Sequence, residues 1–205
     1  MRVLDQMDFL VIALFQARLD DVSRAAGDLI AAHFVSGRFD THWHRIDVRR
    51  IYERRPPAGG AHAIRAVLFE PGTAPGTTAF IANLEDGWLT MCNAISLRVA
   101  GRHVLMRSCQ NDDYPLNDFE VWVDGTSVWH VGAAKEDPSW DFTSRGQPME
   151  FEDTRYYTRR AIGDRVNRTI LLEYAAKMGW NLDLPAFAQS DVPALYLSEN
   201  IQLRT

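Results

Sequence analysis

NDDYPLNDFEVWVDGTSVWHVGAAKEDPSWDFTSRGQPMEFED, residues 111–153, is the stretch that the rest of this chain must accommodate. This acidic stretch holds eleven carboxylates against two cations, so its net charge is −9 in a chain of 205 residues with a net charge of −5. Its carboxylates are Asp112, Asp113, Asp118, Glu120, Asp124, Glu136, Asp137, Asp141, Glu150, Glu152 and Asp153. Its aromatic side chains include Phe119, Trp122, Trp129, Trp140, Phe142 and Phe151. That apolar content indicates a folded segment rather than a disordered acidic tail.

The centre of the acidic stretch carries the strongest turn signal in the chain. Asp124-Gly125 separates two apolar segments, Asn117–Val123 and Ser127–Ala133. Because Asp-Gly is a preferred pair for a two-residue hairpin turn, the sequence predicts two antiparallel strands here. The following segment, Lys135–Glu152, contains prolines and a glycine and is predicted to be a loop held in place by its aromatic side chains.

Toward the N-terminus, buried strands alternate with amphipathic helices. Leu19–Val35 places apolar residues at three- and four-residue spacing and predicts a helix, and Asp86–Val99 is a shorter candidate. Strands are predicted at Phe9–Gln16, Phe39–Tyr52, Ala63–Phe69, Thr78–Asn83 and His103–Cys109. The order strand–helix–strand–strand therefore occurs twice, over residues 9–69 and 78–123.

The C-terminal part of the chain predicts one long helix and a tail. Asp153–Met178 has apolar residues along one broad face, with Asp153 placed to cap its start and Gly179 at its end. The fold class predicted is α+β, a largely antiparallel sheet with helices packed on it, in a single compact unit over residues 1–205. Two similar halves, residues 1–70 and 78–180, are an option within that unit, with residues 181–205 as a packed tail.

Charge and composition disfavour several classes of protein. A net charge of −5 argues against nucleic acid or an anionic membrane as the partner, because both attract basic surfaces. The longest apolar run, Phe9–Phe15, is shorter than the roughly 18–20 residues of a membrane span. Cys92 and Cys109 lack a Cys-x-x-Cys spacing and are predicted to be free thiols in a reducing compartment. We therefore expect a cytoplasmic protein without a cofactor; the sequence leaves its oligomeric state open.

Signals for catalysis are sparse. The sequence has no Gly-x-Ser-x-Gly, no phosphate-binding glycine loop and no His-Glu-x-x-His. The candidate metal site is Asp40-x-His42-x-His44, whose three side chains would share one face of a strand. The alternative for this segment is an exposed polar face with Trp43 pointing into the core. A carboxylate pair within the acidic stretch is the other candidate for a hydrolase.

The acidic stretch with its aromatic residues favours binding of a basic protein over catalysis, because such a surface steers a basic partner. The predicted binding residues are Asp112, Asp113, Tyr114, Trp129, Glu136, Asp137 and Trp140. Neutralisation of the stretch by the arginines of Arg155–Arg168 would remove this surface. A hydrolase and a small-molecule sensor with a pocket lined by Trp88, Trp122 and Tyr157 remain as alternatives.

Several short motifs carry a resemblance over the C-terminal half of the chain. They are Asp86-Gly87-Trp88-Leu89-Thr90, Tyr114-Pro115, Trp140-Asp141-Phe142-x-x-x-Gly146-x-Pro148-x-x-Phe151-Glu152, Tyr157 and Asp164-Arg165. With these motifs the chain resembles bacterial α+β proteins of uncharacterised function and, more loosely, small immunity proteins that neutralise secreted bacterial toxins. The resemblance implies a cytoplasmic, cofactor-free binder whose acidic surface blocks a basic toxin site. It implies no catalytic residues.

Overall fold

The predicted hairpin belongs to a large antiparallel sheet. The computed structural model describes residues 9–48, 63–110, 115–136 and 138–200. In this part of the chain the strands are β1 (Phe9–Phe15), β2 (Phe39–His44), β3 (Arg65–Phe69), β4 (Thr78–Ala82), β5 (Arg102–Cys109), β6 (Leu116–Val123), β7 (Thr126–Glu136), β8 (Ser139–Gly146) and β9 (Ala194–Glu199). They are ordered β2-β9-β3-β4-β1-β5-β6-β7-β8, and each neighbouring pair is antiparallel. The α+β class with an antiparallel sheet is confirmed.

Helices pack on both faces of this sheet. The α-helices of the described residues are α1 (Leu19–His33), α2 (Leu89–Ser96) and α3 (Arg168–Lys177). Short 3-10 helices lie at Thr154–Thr158, Ile162–Asp164 and Pro185–Ala188. One core joins α1 and α2 to the sheet, and a second core joins α3 and its flanking segments to the opposite face.

The central strand β1 shows why the sheet can be covered on both sides. Leu10, Ile12 and Leu14 point to the core under α3, whereas Val11 and Ala13 point to the core under α1 and α2. All five are at most 1% exposed. A continuous apolar run is what a strand buried on both faces requires.

The hairpin between β6 and β7 is as predicted. Asp124 and Gly125 have φ angles of 48° and 75°, the left-handed conformation that a two-residue hairpin turn of this type needs at both positions. Glycine adopts such angles without steric cost, and Asp is one of the few other residues that tolerates them.

Two predictions for residues 135–178 are wrong. Within the segment predicted as a loop, Ser139–Gly146 forms β8, which pairs with β7 along its whole length, and residues 147–152 are irregular. The long helix Asp153–Met178 is replaced by two 3-10 helices and the shorter α3. The side chain of Asn167 accepts a hydrogen bond from the Ile170 backbone N–H at 3.1 Å, so α3 has its N-cap there and not at Asp153.

The C-terminal segment is part of the sheet instead of a tail packed over it. β9 lies between β2 and β3, and its residues Ala194–Leu197 are at most 6% exposed. The strands of residues 1–70 and 78–180 are also interleaved, because β1 lies between β4 and β5. The predicted extension of β2 to Tyr52 runs past residue 48 and so lies partly outside the described residues.

Candidate functional site

The sheet face that carries α1 and α2 changes character at β5. The apolar core under these helices takes side chains from β1, β2, β3, β4, β5 and β9, and within the described residues it includes none from β6, β7 or β8. Beyond Leu105 the same face bears polar side chains. We call this uncovered part of the face, from β5 to β8, the polar face. Its residues are Arg107, Asp118, Glu120, His130, Asp141, Thr143 and Arg145.

Strand alternation and register place these residues together. Trp129, Val131 and Ala133 of β7 point into the core under α3, so His130 points to the opposite face. Glu120 of β6 and Arg145 of β8 are the cross-strand neighbours of His130. Such neighbours have Cβ atoms about 4.5–5.5 Å apart, so β6, β7 and β8 contribute adjacent side chains to one surface.

Asp118 is the buried centre of the polar face. It is 4% exposed, and both its carboxylate oxygens accept hydrogen bonds from Arg107, one of them from Nε at 2.9 Å. The Nε2 atom of His130 lies 3.7 Å from the same carboxylate. Both oxygens of Asp118 are thus engaged in a bidentate pair, which fixes the position of the guanidinium.

Other carboxylates stand close to this pair. Burial alone would lower the pKa of the Arg107 guanidinium, but its hydrogen bonds to Asp118 and the charges of Asp118, Glu120 and Asp86 raise that pKa instead. The Ser127 hydroxyl donates a hydrogen bond to Glu120. Glu120 is therefore oriented on the surface without a cation of its own within 4 Å in the described residues.

His103 marks the border between the helix-covered and polar halves. Its ring stacks between Phe15 and Trp122, with ring centroids 5.3 Å and 5.5 Å away. It is 1% exposed, and neither ring nitrogen has a hydrogen-bond partner among the described residues. Burial lowers the pKa of His103 to about 4, so the ring is neutral near pH 7.

Most of the described carboxylates of the acidic stretch are not paired with arginine. Side chains are described for seven of its carboxylates: Asp118, Glu120, Asp124, Asp141, Glu150, Glu152 and Asp153. Two of these pair with arginine, Asp118 with Arg107 and Asp153 with Arg155, the latter at 2.6 Å. The other five have no cationic side chain within 4 Å among the described residues.

Three of the arginines after the acidic stretch donate hydrogen bonds to groups outside its described carboxylates. Arg159 donates to the Asp164 carbonyl at 2.8 Å, and Arg165 donates to the Arg159 carbonyl at 2.8 Å. Arg168 is buried and donates to the hydroxyl and the carbonyl of Ser108, each at 2.9 Å. Within the described side chains, the fold thus leaves the acidic stretch largely uncompensated.

The predicted binding residues are only partly described. Asp112, Asp113, Tyr114 and Asp137 lie outside the described residues, as does the side chain of Glu136. Trp129 is 1% exposed, and its indole N–H donates to Glu152 at 3.1 Å. Trp140 is half-buried on the α3 side, where its ring lies against Gly163. Because β7 turns its ring inward, Trp129 cannot contact a partner unless the core opens. The prediction of Trp129 as a binding residue is therefore corrected.

The predicted metal residues share a face of β2 but form no cluster. β2 lies at the edge of the sheet formed by the described strands, and Asp40, His42 and His44 are all exposed. The His42 ring stacks on Tyr196 with centroids 5.4 Å apart, and His44 Nδ1 lies 3.1 Å from the Arg45 carbonyl oxygen. No group of three or more His, Cys, Asp or Glu able to hold a metal occurs in the part of the chain described. Trp43, expected in the core as the alternative, is 51% exposed.

The thiols and the aromatic pocket can also be placed. Cys92 and Cys109 are free, as predicted. Cys92 is 0% exposed, and burial raises the pKa of its thiol. Trp88 belongs to the core under α1 and α2, whereas Tyr157 packs against the opposite core. The sheet therefore separates these two rings, and they cannot line one pocket.

No sequence motif identifies Arg107 or His130 as site residues. A usable signal was nevertheless present: once Asp124-Gly125 fixes the hairpin, β-strand alternation sets the core face from Phe119, Val121 and Val131. The residues that alternate with these, among them Glu120 and His130, must then form the opposite face. Arg107 adds the cation opposite Asp118, but its strand pairing cannot be inferred from a local turn.

Comparison with known proteins yields no relative for this chain: no family model, no curated protein and no solved structure matches it. No helix among the described residues is long and apolar enough to cross a membrane.

Proposed function

We propose that this chain is a non-enzymatic binding protein that captures a basic protein on the polar face and the acidic residues beside it. The observation that carries the proposal is the uncompensated charge: Glu120, Asp124, Asp141 and Glu150 have no cationic partner within 4 Å in the described residues. A surface of this sign attracts a basic partner and speeds its association.

The carboxylates available for binding are held in defined positions. Glu120 accepts from Ser127, and Asp124 accepts from the Gly101 backbone N–H at 2.9 Å. Both are on the β6–β7 hairpin, whose strands are fixed by pairing on both sides. Charges that are positioned before binding cost little further side-chain entropy when the partner docks.

The polar face supports binding better than hydrolysis. The nearest pair of carboxylates on one strand is Asp118 and Glu120, and a hydrolase would need both to reach a substrate. Asp118 is buried and has both oxygens occupied by Arg107. Its role is therefore to hold the guanidinium in place.

An immunity-like role is the specific form of this proposal. Following the resemblance described above, the partner would be a secreted bacterial toxin, and the acidic surface would cover its basic site. This role requires no cofactor, and it places the complex in the cytoplasm of the cell that the protein defends.

The proposal is tested with two variants of equal charge. E120Q/D124N/E150Q removes three carboxylates of the acidic stretch, whereas D20N/D28N/D191N removes three exposed carboxylates elsewhere. Each shifts the net charge from −5 to −2. Gln and Asn keep the hydrogen-bond acceptors, and Asn tolerates the left-handed conformation of residue 124.

A basic protein captured by the immobilised wild-type chain is identified by mass spectrometry, and its association rate is measured with each variant at low and physiological salt. We expect E120Q/D124N/E150Q to slow association by about tenfold at low salt, with the difference shrinking as salt rises. The control should retain the wild-type rate. Equal rates for the two variants, or failure to capture any basic protein, would refute the proposal.

A further inference from the structure

The outer edge of β8 has no strand partner among the described residues. β8 is eight residues long, and its register with β7 runs without a shift from Ser139 to Gly146. It contains neither Lys nor Pro, the residues with which proteins often protect such an edge. An extended, regular edge of this kind offers its backbone groups to another strand.

The direction of the backbone groups in β8 follows from two hydrogen bonds. The Lys135 N–H donates to the Pro115 carbonyl at 3.0 Å, so the odd-numbered residues of β7 bond toward β6 and the even-numbered ones toward β8. By register, Asp141, Thr143 and Arg145 then bond inward to β7. The Phe142 N–H points outward, and its own neighbour, the Asp141 side chain, accepts from it at 3.0 Å.

We propose that two copies of the chain pair through β8, antiparallel and centred on Thr143, to join their sheets into one. In this arrangement Phe142 of one copy exchanges backbone hydrogen bonds with Ser144 of the other. Asp141 then lies directly opposite Arg145 of the second copy, and the two-fold axis repeats this ion pair. This proposal goes beyond partner binding and does not depend on it.

The charge pattern selects this register from the alternatives. Residues whose backbone groups point away from β7 must pair with residues of the same kind in the second copy. The two-fold axis can therefore pass through Phe142, Thr143 or Ser144. Centring on Phe142 places Asp141 opposite Thr143, and centring on Ser144 places Arg145 opposite Thr143. Only the register centred on Thr143 sets opposite charges against each other.

The side chains of this register are free to meet. Asp141 and Arg145 are exposed, and both lie on the polar face. Residues that bond inward on both strands form a non-hydrogen-bonded pair across the new interface, with Cα atoms about 4.5 Å apart. Pairing also gives the Phe142 N–H a carbonyl acceptor, which releases the Asp141 carboxylate to contact Arg145 of the second copy.

Sedimentation equilibrium of charge variants tests the proposal. The wild-type chain should have twice its chain mass of 23.3 kDa. D141R and R145D each place like charges opposite one another and should halve the mass, and D141R/R145D should restore it. The control D28R, an exposed reversal on α1, should leave the wild-type mass unchanged. A monomeric wild type, single variants that remain dimeric, or a monomeric double variant would overturn the proposal.

Cysteine cross-linking checks the register independently. Thr143 of one copy lies opposite Thr143 of the other across the two-fold axis. T143C in a C109S background should therefore form a disulfide-linked dimer under mild oxidation. S139C, at the start of the same strand, is the matched control and should not cross-link, because its partner in this register lies beyond Gly146. Equal cross-linking of the two variants, or none with T143C, would contradict the register.

Discussion

Replacing Arg107 with Met tests the electrostatic construction of the polar face. Arg107 supplies both hydrogen bonds to Asp118, which is 4% exposed. Met occupies a similar volume but cannot donate, so the variant leaves a buried carboxylate without its partner. The other group nearby, Nε2 of His130, is 3.7 Å away, which is too far for a normal hydrogen bond.

The expected cost can be estimated from this geometry. Breaking a buried ion pair by removing one partner costs about 3–5 kcal/mol. The Arg107 side chain retains 26% exposure, so water partly compensates Asp118 and we expect about 3 kcal/mol. For a domain of this size, ~2–4 °C per kcal/mol corresponds to a loss of roughly 6–12 °C in Tm.

Urea unfolding measured by circular dichroism gives the free energy directly. Removing both charges in R107M/D118L should recover about 2 kcal/mol of the loss, because no carboxylate then remains buried and unpaired. If R107M unfolds within about 0.5 kcal/mol of wild type, as ordinary surface substitutions do, Asp118 is solvated and the polar face is not built as described.

Three further predictions concern buried positions elsewhere. The pKa of His103 is about 4 in the fold and about 6.5 when the chain is unfolded. The free energy of unfolding should therefore be undiminished by this group above pH 6.5 and fall by about 3 kcal/mol toward pH 4, because the unfolded chain then binds a proton that the folded chain does not. Urea titrations of H103F should show a flatter pH dependence. G87A should destabilise the fold strongly, because the added Cβ would lie 2.0 Å from Cγ1 of Val11 at a φ of +67°. G27A has open space around the added Cβ on α1 and should stabilise the fold by about 0.5–1 kcal/mol. Thermal melts compare the two variants. Cys92 should resist iodoacetamide in the native protein and react once it unfolds, as read by mass spectrometry, because burial raises its pKa.

Local patterns predicted local structure well. Asp124-Gly125 identified the hairpin because its turn conformation restricts which residues can occupy it, and the apolar spacing of Leu19–Val35 identified α1. The long helix at Asp153–Met178 was wrong because the aromatic residues that suggested one helical face, such as Tyr157, instead anchor irregular segments to the core. The sequence does not predict β9 as a strand, because its short apolar run is consistent with either a packed tail or a central strand.

The polar face could be predicted only in part. Alternation around the hairpin places Glu120 and His130 on one side, but the sequence does not say whether a helix covers that side. The answer depends on where α1 and α2 pack, and this follows from the pairing of β1 with both β4 and β5. Such long-range pairing leaves no local mark in the sequence. The same limit applied to the metal residues, whose exposure on β2 follows from its position at the sheet edge.

Hydrogen–deuterium exchange of the complex with the captured basic protein tests the central claim most directly, because it locates the contact surface on the chain. We expect new protection in β6 and β7 on binding, with no change in α1 on the helix-covered half. Protection confined to α1 and α2, or no new protection along β6 and β7, would contradict the claim that the partner docks on the polar face.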